Sequence, residues 1–482
     1  MALEHEVVID RRPLWLILLG RGQQTATVIA GALLYWVIVS LRLPGDLTPQ
    51  GQKALGAFAL CVFYWVLNAL PLMVTSLLAI IMLPLTGVMQ SNQAYALFGN
   101  EAVFFILGAF ILAACLMKTG LSTRLALGIL HRFGHTPRRL LLSIFLLNVV
   151  MAFFMSEHAV AAMNFPIVVE IVSVLGLPRQ RSNYARALFL AMAWGSSIGG
   201  IGTLLGGARA PLALGILREA TGASYSFLEW TLLALPLVLV LLVGGYQIIL
   251  RFYPIEIETV QAADSALSER WTKLGRASFE EWAVGLVMIA TFVAWLIGGE
   301  EFGLANIAIA AVVLLFVLRV VSWRDIERYV NWGVLLMYGG AIALGAAVNK
   351  SGAAGWLAHM TISQWASSGM LVVLFTSLVS ILLTEAMSHS AVVALLMPVS
   401  IGVAREFGLD PRVMAPVVAL PAGLAFTLPI GTPANAIAFS SGYLRIRDLL
   451  VPGALLELLA WIAFNLLALW YWPLLGVHVQ PH

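Results

Sequence analysis

Met155-Ser156-Glu157-His158-Ala159-Val160-Ala161-Ala162-Met163 sets a serine, an acid and an imidazole in the middle of a long apolar segment. A second copy, Met387-Ser388-His389-Ser390-Ala391-Val392-Val393-Ala394-Leu395, begins at an offset of 232 (387 − 155). Polar residues at membrane depth are costly, and helices broken at such points build the midplane sites of transporters. The two stretches therefore read as facing loops that hold a transported ion or solute.

The surrounding composition agrees. With 61% hydrophobic and 11% charged residues and a mean hydropathy of +0.94, the chain is excluded from the soluble globular class. Long continuous apolar runs, as opposed to alternating ones, exclude a β-barrel. The expected class is an all-α polytopic membrane protein with about 11 transmembrane helices. Spans are expected near 24–42, 53–70, 71–88, 101–131, 184–217, 228–252, 282–299, 304–321, 331–350, 412–442 and 448–475. Two further stretches, 139–175 and 367–404, carry the polar loops and then Pro166 and Pro398, and read as re-entrant helical hairpins. The start, with Glu4, Glu6 and Asp10, lacks the pattern of a cleaved signal peptide. Cys61 and Cys115 read as small core residues.

Charge placement orients these spans. Arg132, Arg138, Arg139, Arg179, Arg181, Arg251, Arg270, Arg319, Arg324, Arg328, Arg445 and Arg447 are among those falling on one side, against Arg42, Lys53, Arg218, Arg405 and Arg412 on the other. The excess of basic residues in cytoplasmic loops puts the N-terminus inside and the C-terminus outside. The first hairpin then opens from the cytoplasm and the second from outside. Lys118-Thr119-Gly120 and Lys350-Ser351-Gly352 share the 232-residue offset, as do Pro166 and Pro398. Gly206-Gly207-Ala208-Arg209-Ala210 aligns with Gly431-Thr432-Pro433-Ala434-Asn435 at an offset of 225 (431 − 206), each inside a glycine-rich span. Opposite entry sides make this an inverted-topology repeat, the signature of a secondary transporter with its site between the halves.

Four polar segments should converge at that site. Hydroxyls of Ser156, Ser388, Ser390 and Thr432, with free amides at half-helix N-termini, suit an anion. Pro433 keeps its segment out of helical geometry, and unwound carbonyls suit a small cation.

Leu428-Pro429-Ile430-Gly431-Thr432-Pro433-Ala434-Asn435-Ala436-Ile437 with Ser441-Gly442-Tyr443 resembles the divalent anion/sodium symporter family, carriers of di- and tricarboxylates or sulfate. Trp65, Pro71-Leu72-Met73-Val74-Thr75-Ser76-Leu77-Leu78 and Thr384-Glu385 support the likeness, which covers about residues 50 to 475. The resemblance implies a homodimer in the bacterial inner membrane, moving a small anion by an elevator motion, with no enzymatic activity, nucleic-acid partner or organic cofactor. It divides the chain into an N-terminal segment (1–23), scaffold parts (24–138 and 282–360), transport parts (139–253 and 361–475), a cytoplasmic linker (254–281) and a tail (476–482).

Carried over position by position, the resemblance places substrate contacts at Ser156, His158, Ser388, Ser390, Gly207, Thr432 and Pro433. It places Glu157, Gly206, Thr384, His389 and Gly431 near the family's sodium sites. The family's Ser-Asn-Thr tips are here Ser156-Glu157-His158 and Ser388-His389-Ser390, so both asparagines are replaced. Asn68 stands where the family often has glutamate. An imidazolium at His389 or His158 would stand in for sodium, and Arg209 would meet a carboxylate or sulfate directly. Fixed positive charge favours anion exchange, whereas protonatable histidine favours proton coupling. Sodium and proton thus both stand as coupling ions.

Plainer roles stand beside these. Glu157 pairs with His158, His389 or Arg209 as structural glue or ligates a cation; Arg209 snorkels or binds substrate. Glu385 handles protons or makes a local hydrogen bond. Lys118 and Lys350 cap helix ends, and His131 and His135 are expected to be solvated. The competing functions are a cation/proton antiporter using Glu157, Glu385 and the histidines, and an intramembrane metallohydrolase. The latter lacks any standard zinc-ligand spacing.

Overall fold

The computed structural model describes residues 14–45, 47–327, 329–361 and 368–479. The N-terminal acids Glu4, Glu6 and Asp10, the basic Arg328 and the end of the tail lie outside the described residues. The described chain is helical throughout. The first half runs α1 (Leu14–Ser40), α2 (Pro49–Val66), α3 (Leu72–Leu85), α4 (Ser91–Ala96), α5 (Glu101–Thr119), α6 (Leu121–Phe133), α7 (Pro137–Met151), α8 (Glu157–Val174), α9 (Asn183–Gly200), α10 (Arg209–Thr221) and α11 (Phe227–Phe252). The second half runs α12 (Gln261–Leu274), α13 (Phe279–Phe302), α14 (Leu304–Val317), α15 (Trp323–Glu327), α16 (Trp332–Lys350), α17 (Ala353–Thr361), α18 (Gly369–Thr384), α19 (His389–Glu406), α20 (Met414–Ala419), α21 (Pro433–Ser440) and α22 (Ile446–Trp470).

Several of these, α11, α13 and α22 among them, are long and apolar enough to cross a bilayer. The outward face of α13 leaves Leu286, Ile289 and Ile297 exposed, as a lipid-facing helix does. Both re-entrant hairpins are present, α7–α8 and α18–α19. Between them α11, α13 and α16 are long and apolar enough to cross a bilayer, and α14 is a shorter apolar helix. The same order of hairpin and broken helix recurs in each half, at α9–α10 and again at α20–α21.

Two expectations need correction. The stretch 101–131 is two helices, because Gly120 adopts φ +82° and ends α5. The following α6 turns aside and packs its Ala126, Leu127 and Leu130 edge against α7 and α12. The linker also contains a folded element: α12 buries Ala263 and Leu267 against α6 and α8. His131 therefore stacks on Trp271 and contacts Ser268 Oγ at 3.0 Å, while His135 lies 3.2 Å from Asp264. His131 is packed into that corner, whereas His135, though beside Asp264, stays exposed to solvent as expected.

Glycines set how closely the core helices approach. A Cβ on Gly195 would lie 2.7 Å from Phe145 O, and on Gly199 2.2 Å from Val149 O, so α9 rests directly on the backbone of α7. α10 and α19 pack on α16, and α10 also on α5. Among the described residues neither α8 nor α21 makes more than marginal contact with α3, α5 or α16. Contact of α10 and α19 with α5 and α16 is thus the closer one.

Candidate functional site

Each hairpin reverses through a short polar tip and restarts as a helix capped by serine. Ser156 Oγ accepts from Ala159 N at 3.4 Å, and Ser388 Oγ from Ala391 N at 3.3 Å. The broken helices restart at Arg209 after the 201–208 segment and at Pro433, where Thr432 Oγ1 accepts from Asn435 N at 3.0 Å. Four helix N-termini, those of α8, α10, α19 and α21, thereby carry the residues singled out in the sequence.

Glu157, Arg209 and His389 join three of them. Arg209 Nη1 donates to Glu157 Oε1 at 3.1 Å and lies 3.1 Å from His389 Nδ1. His389 Nδ1 lies 3.3 Å from Glu157 Oε1, and its Nε2 lies 3.2 Å from Gly431 O. A carbonyl accepts only, so Nε2 carries a proton, and the Arg209 donor fits Nδ1 as acceptor. Glu157 N donates to Gly206 O at 3.0 Å, fastening the first tip to the first break. Glu157 and Arg209 are 1% and 2% exposed, which takes Arg209 out of open contact with a solute and excludes snorkelling.

The guanidinium lies in a cradle of glycines. An added Cβ would come within 2.6 Å of Arg209 Nη1 at Gly207 and within 2.5 Å of its Nε at Gly423. At Gly200 it would meet Glu157 Oε2 at 2.7 Å and Arg209 Nη2 at 3.2 Å, the two atoms of the pair that lack a hydrogen-bond partner.

The remaining positions divide by accessibility. His158, Ser388 and Ile430 are exposed and Ser156 and Pro433 half-buried, while Gly207, Ser390 and Thr432 are buried. Non-helical backbone left open at membrane depth lines a water-filled cavity. Thr384 Oγ1 turns to Ser380 O (2.8 Å) and Ala422 O (3.3 Å). Asn68 takes φ +49° in the α2–α3 turn. Lys118 and Lys350 lie at helix C-termini and ion-pair with Asp325 and Glu219.

Sequence reasoning missed a second polar cluster. Glu385 accepts from Thr427 N (2.9 Å) and Leu428 N (2.8 Å); Glu457 accepts from Phe426 N (2.6 Å), Thr427 N (2.9 Å) and Thr427 Oγ1 (2.6 Å). An acid in the middle of apolar α22 was the available signal for Glu457. The buried Asn148, Asn164 and Ser196 network behind the first tip was also unread.

Comparison with known proteins matches residues 23–478 to the sodium:sulfate symporter transmembrane region. The chain belongs to the divalent anion/sodium symporter family. As a member of that family it is a multi-pass membrane transporter and not an enzyme. A sodium-dependent dicarboxylate transporter, SdcS, of Staphylococcus saprophyticus is 28% identical over 489 residues, covering 95% of this chain and 93% of that protein. SdcS of Staphylococcus aureus is 27% identical over 515 residues, covering 99% and 98%. Neisseria gonorrhoeae MtrF, from a class of antimetabolite efflux pumps, shares the fold with a TM-score of 0.56 at 13% identity over 93% of this chain and 95% of its own. Alcanivorax borkumensis YdaH does so with a TM-score of 0.52 at 15% identity, over 81% and 88%.

Proposed function

We propose that this family member carries a small dianion of the dicarboxylate class by exchange, without sodium. The observation that carries this reading is the Glu157–Arg209–His389 cluster. At the position near the family's sodium sites, Gly206 O is taken by Glu157 N, Gly431 O by His389, and a guanidinium already sits between the two tips. These donors do not fit a sodium ion as they stand. Arg209 stays charged at any working pH and is largely offset by Glu157.

Four helix N-termini, each worth roughly half a positive charge, leave about two charges uncompensated. A dianion neutralises them, and an empty site would have to cross the bilayer charged. That asymmetry favours swapping one anion for another. The relatives named as dicarboxylate transporters, aligned nearly end to end, support the substrate class. Ser156, Ser388, Ser390, His158, Gly207, Thr432 and Pro433 would contact the substrate, with Arg209 acting from behind.

The packing supports an elevator motion. In this reading α7–α11 and α18–α22 form the moving part and α1–α5 and α13–α16 the scaffold, with α10 seated on α5 and α16, and α19 on α16, on the second hairpin's side. With the basic loops cytoplasmic, that side is external and the arrangement faces inward, with a homodimer built through the scaffold. Uptake of labelled succinate, malate, citrate and sulfate into proteoliposomes, with and without internal anion and sodium, tests the reading.

A further inference from the structure

We propose that Glu457, together with Glu385, is a positioning residue for the transport site: an acid clamp that holds the unwound segment of the second half. The proposal rests on the exchange reading above for what the site does, and on separate geometry for how it is held.

An unwound segment inside a membrane leaves backbone amides without helical partners, and water is not there to replace them. In the second half three consecutive amides, Phe426, Thr427 and Leu428, are given to the carboxylates of Glu385 and Glu457. The two acids come from different elements, the end of α18 and the middle of α22, and both accept from Thr427 N. Glu457 also takes the Thr427 hydroxyl. Among the described residues no lysine or arginine forms an ion pair with either acid, so the segment's own donors hold them.

The repeat isolates this feature. Phe153 occupies the position equivalent to Glu385 (385 − 153 = 232), and Gly202 and Thr203 those equivalent to Thr427 and Leu428 (427 − 202 = 225). There Thr203 Oγ1 donates to Phe153 O at 2.8 Å, and the Phe153 ring covers Gly202. One scaffold is thus met by an aromatic ring and a carbonyl in the first half and by two acids in the second.

What the clamp positions follows from the chain. Three residues beyond Leu428, Gly431 O meets His389 Nε2, and Thr432 caps α21. A shift of the segment would displace the carbonyl that orients His389, hence the whole Glu157–Arg209–His389 cluster, together with the Thr432 contact. The carboxylate's work here is to accept, which an amide oxygen also does.

The test uses the full chain in proteoliposomes, comparing Glu457→Ala and Glu457→Gln with wild type for KM and maximal exchange rate per folded protein. A parallel arm places Ile430→Cys, on the exposed tip of the segment, in each background and follows maleimide labelling; Cys61 and Cys115 are buried. Glu457→Ala should raise KM about tenfold or more, as expected for losing hydrogen bonds to a charged acceptor, and alter the labelling rate severalfold. Glu457→Gln should stay within about threefold of wild type in both. Should Glu457→Ala not fold, Thr427→Val, which removes the hydroxyl donor, should give the same changes in smaller measure. Wild-type KM and labelling in Glu457→Ala would overturn the clamp, as would a Glu457→Gln variant as impaired as Glu457→Ala. Absence of anion exchange by the wild-type chain would defeat the functional reading alone, since the labelling arm still reports on the clamp.

Discussion

His389 Nδ1 stands 3.3 Å from Glu157 Oε1, so the tips of hairpins from the two halves meet through their side chains. Arg209 Nη1 is within 3.1 Å of both. Burial makes the Arg209–Glu157 pair consequential, because removing one partner of a buried ion pair leaves the other charge uncompensated at a cost of about 3–5 kcal/mol.

Arg209→Gln and Glu157→Gln should each destabilise the chain by about that amount and abolish exchange. The double variant should regain most of the stability, since neither charge is left alone, but not the transport. Thermal unfolding of the three purified variants, read as a double-mutant cycle, measures the coupling.

Ser156→Ala and Ser388→Ala should weaken substrate affinity by about ten- to a hundredfold, the range for a hydrogen bond to a charged group. Both are also N-caps, so a stability loss of about 1 kcal/mol should accompany each. Binding isotherms with succinate separate the two effects, because a lost cap alone leaves affinity per folded protein intact.

Gly423→Ala should abolish exchange, because its Cβ would lie 2.5 Å from Arg209 Nε and 2.6 Å from Cζ, where the enclosed guanidinium has no room to retreat. Gly355→Ala, with nothing within 4 Å of the added carbon, should transport normally. Initial exchange rates of the two variants make the comparison.

Two ion pairs, Arg218–Glu101 and Lys350–Glu219, bridge α10 to the helices α5 and α16 on the second hairpin's side. Removing both with Arg218→Ala and Lys350→Ala should shift the population away from the present arrangement by about two- to thirtyfold, given roughly 0.2–1 kcal/mol for each exposed pair. A falling rate of labelling at His158→Cys by a reagent added from the cytoplasmic side would register the shift.

Away from the membrane interior, the hydrogen bond from Lys118 holds the Asp325 carboxyl down to about 2. Its stabilising contribution is complete above the ordinary value of about 3.9 and is lost as pH falls through the lowered one. The melting-temperature gap between wild type and Asp325→Asn should therefore persist at neutral pH and narrow below about pH 4.

Much of this architecture is legible in the sequence because membrane depth makes polar residues conspicuous. Ser156-Glu157-His158 and Ser388-His389-Ser390 stand out against apolar surroundings, and one offset ties them to Pro166 and Pro398. The partner of Glu157 was not legible: Arg209 lies 52 residues away, and only the fold decides among His158, His389 and Arg209. Glu457 escaped because a lone acid in a long apolar helix has no repeat copy to mark it. The burial of α12 was hidden for the opposite reason, since its two core residues, Ala263 and Leu267, are too few to stand out in a polar stretch.

The central claim, sodium-independent exchange favoured by the uncompensated positive charge of four helix N-termini, is tested most directly by labelled succinate uptake into proteoliposomes containing the purified chain. Uptake should require unlabelled dicarboxylate inside the vesicles and should be the same in sodium and in choline medium. Uptake into empty vesicles that depends on an inward sodium gradient would contradict it.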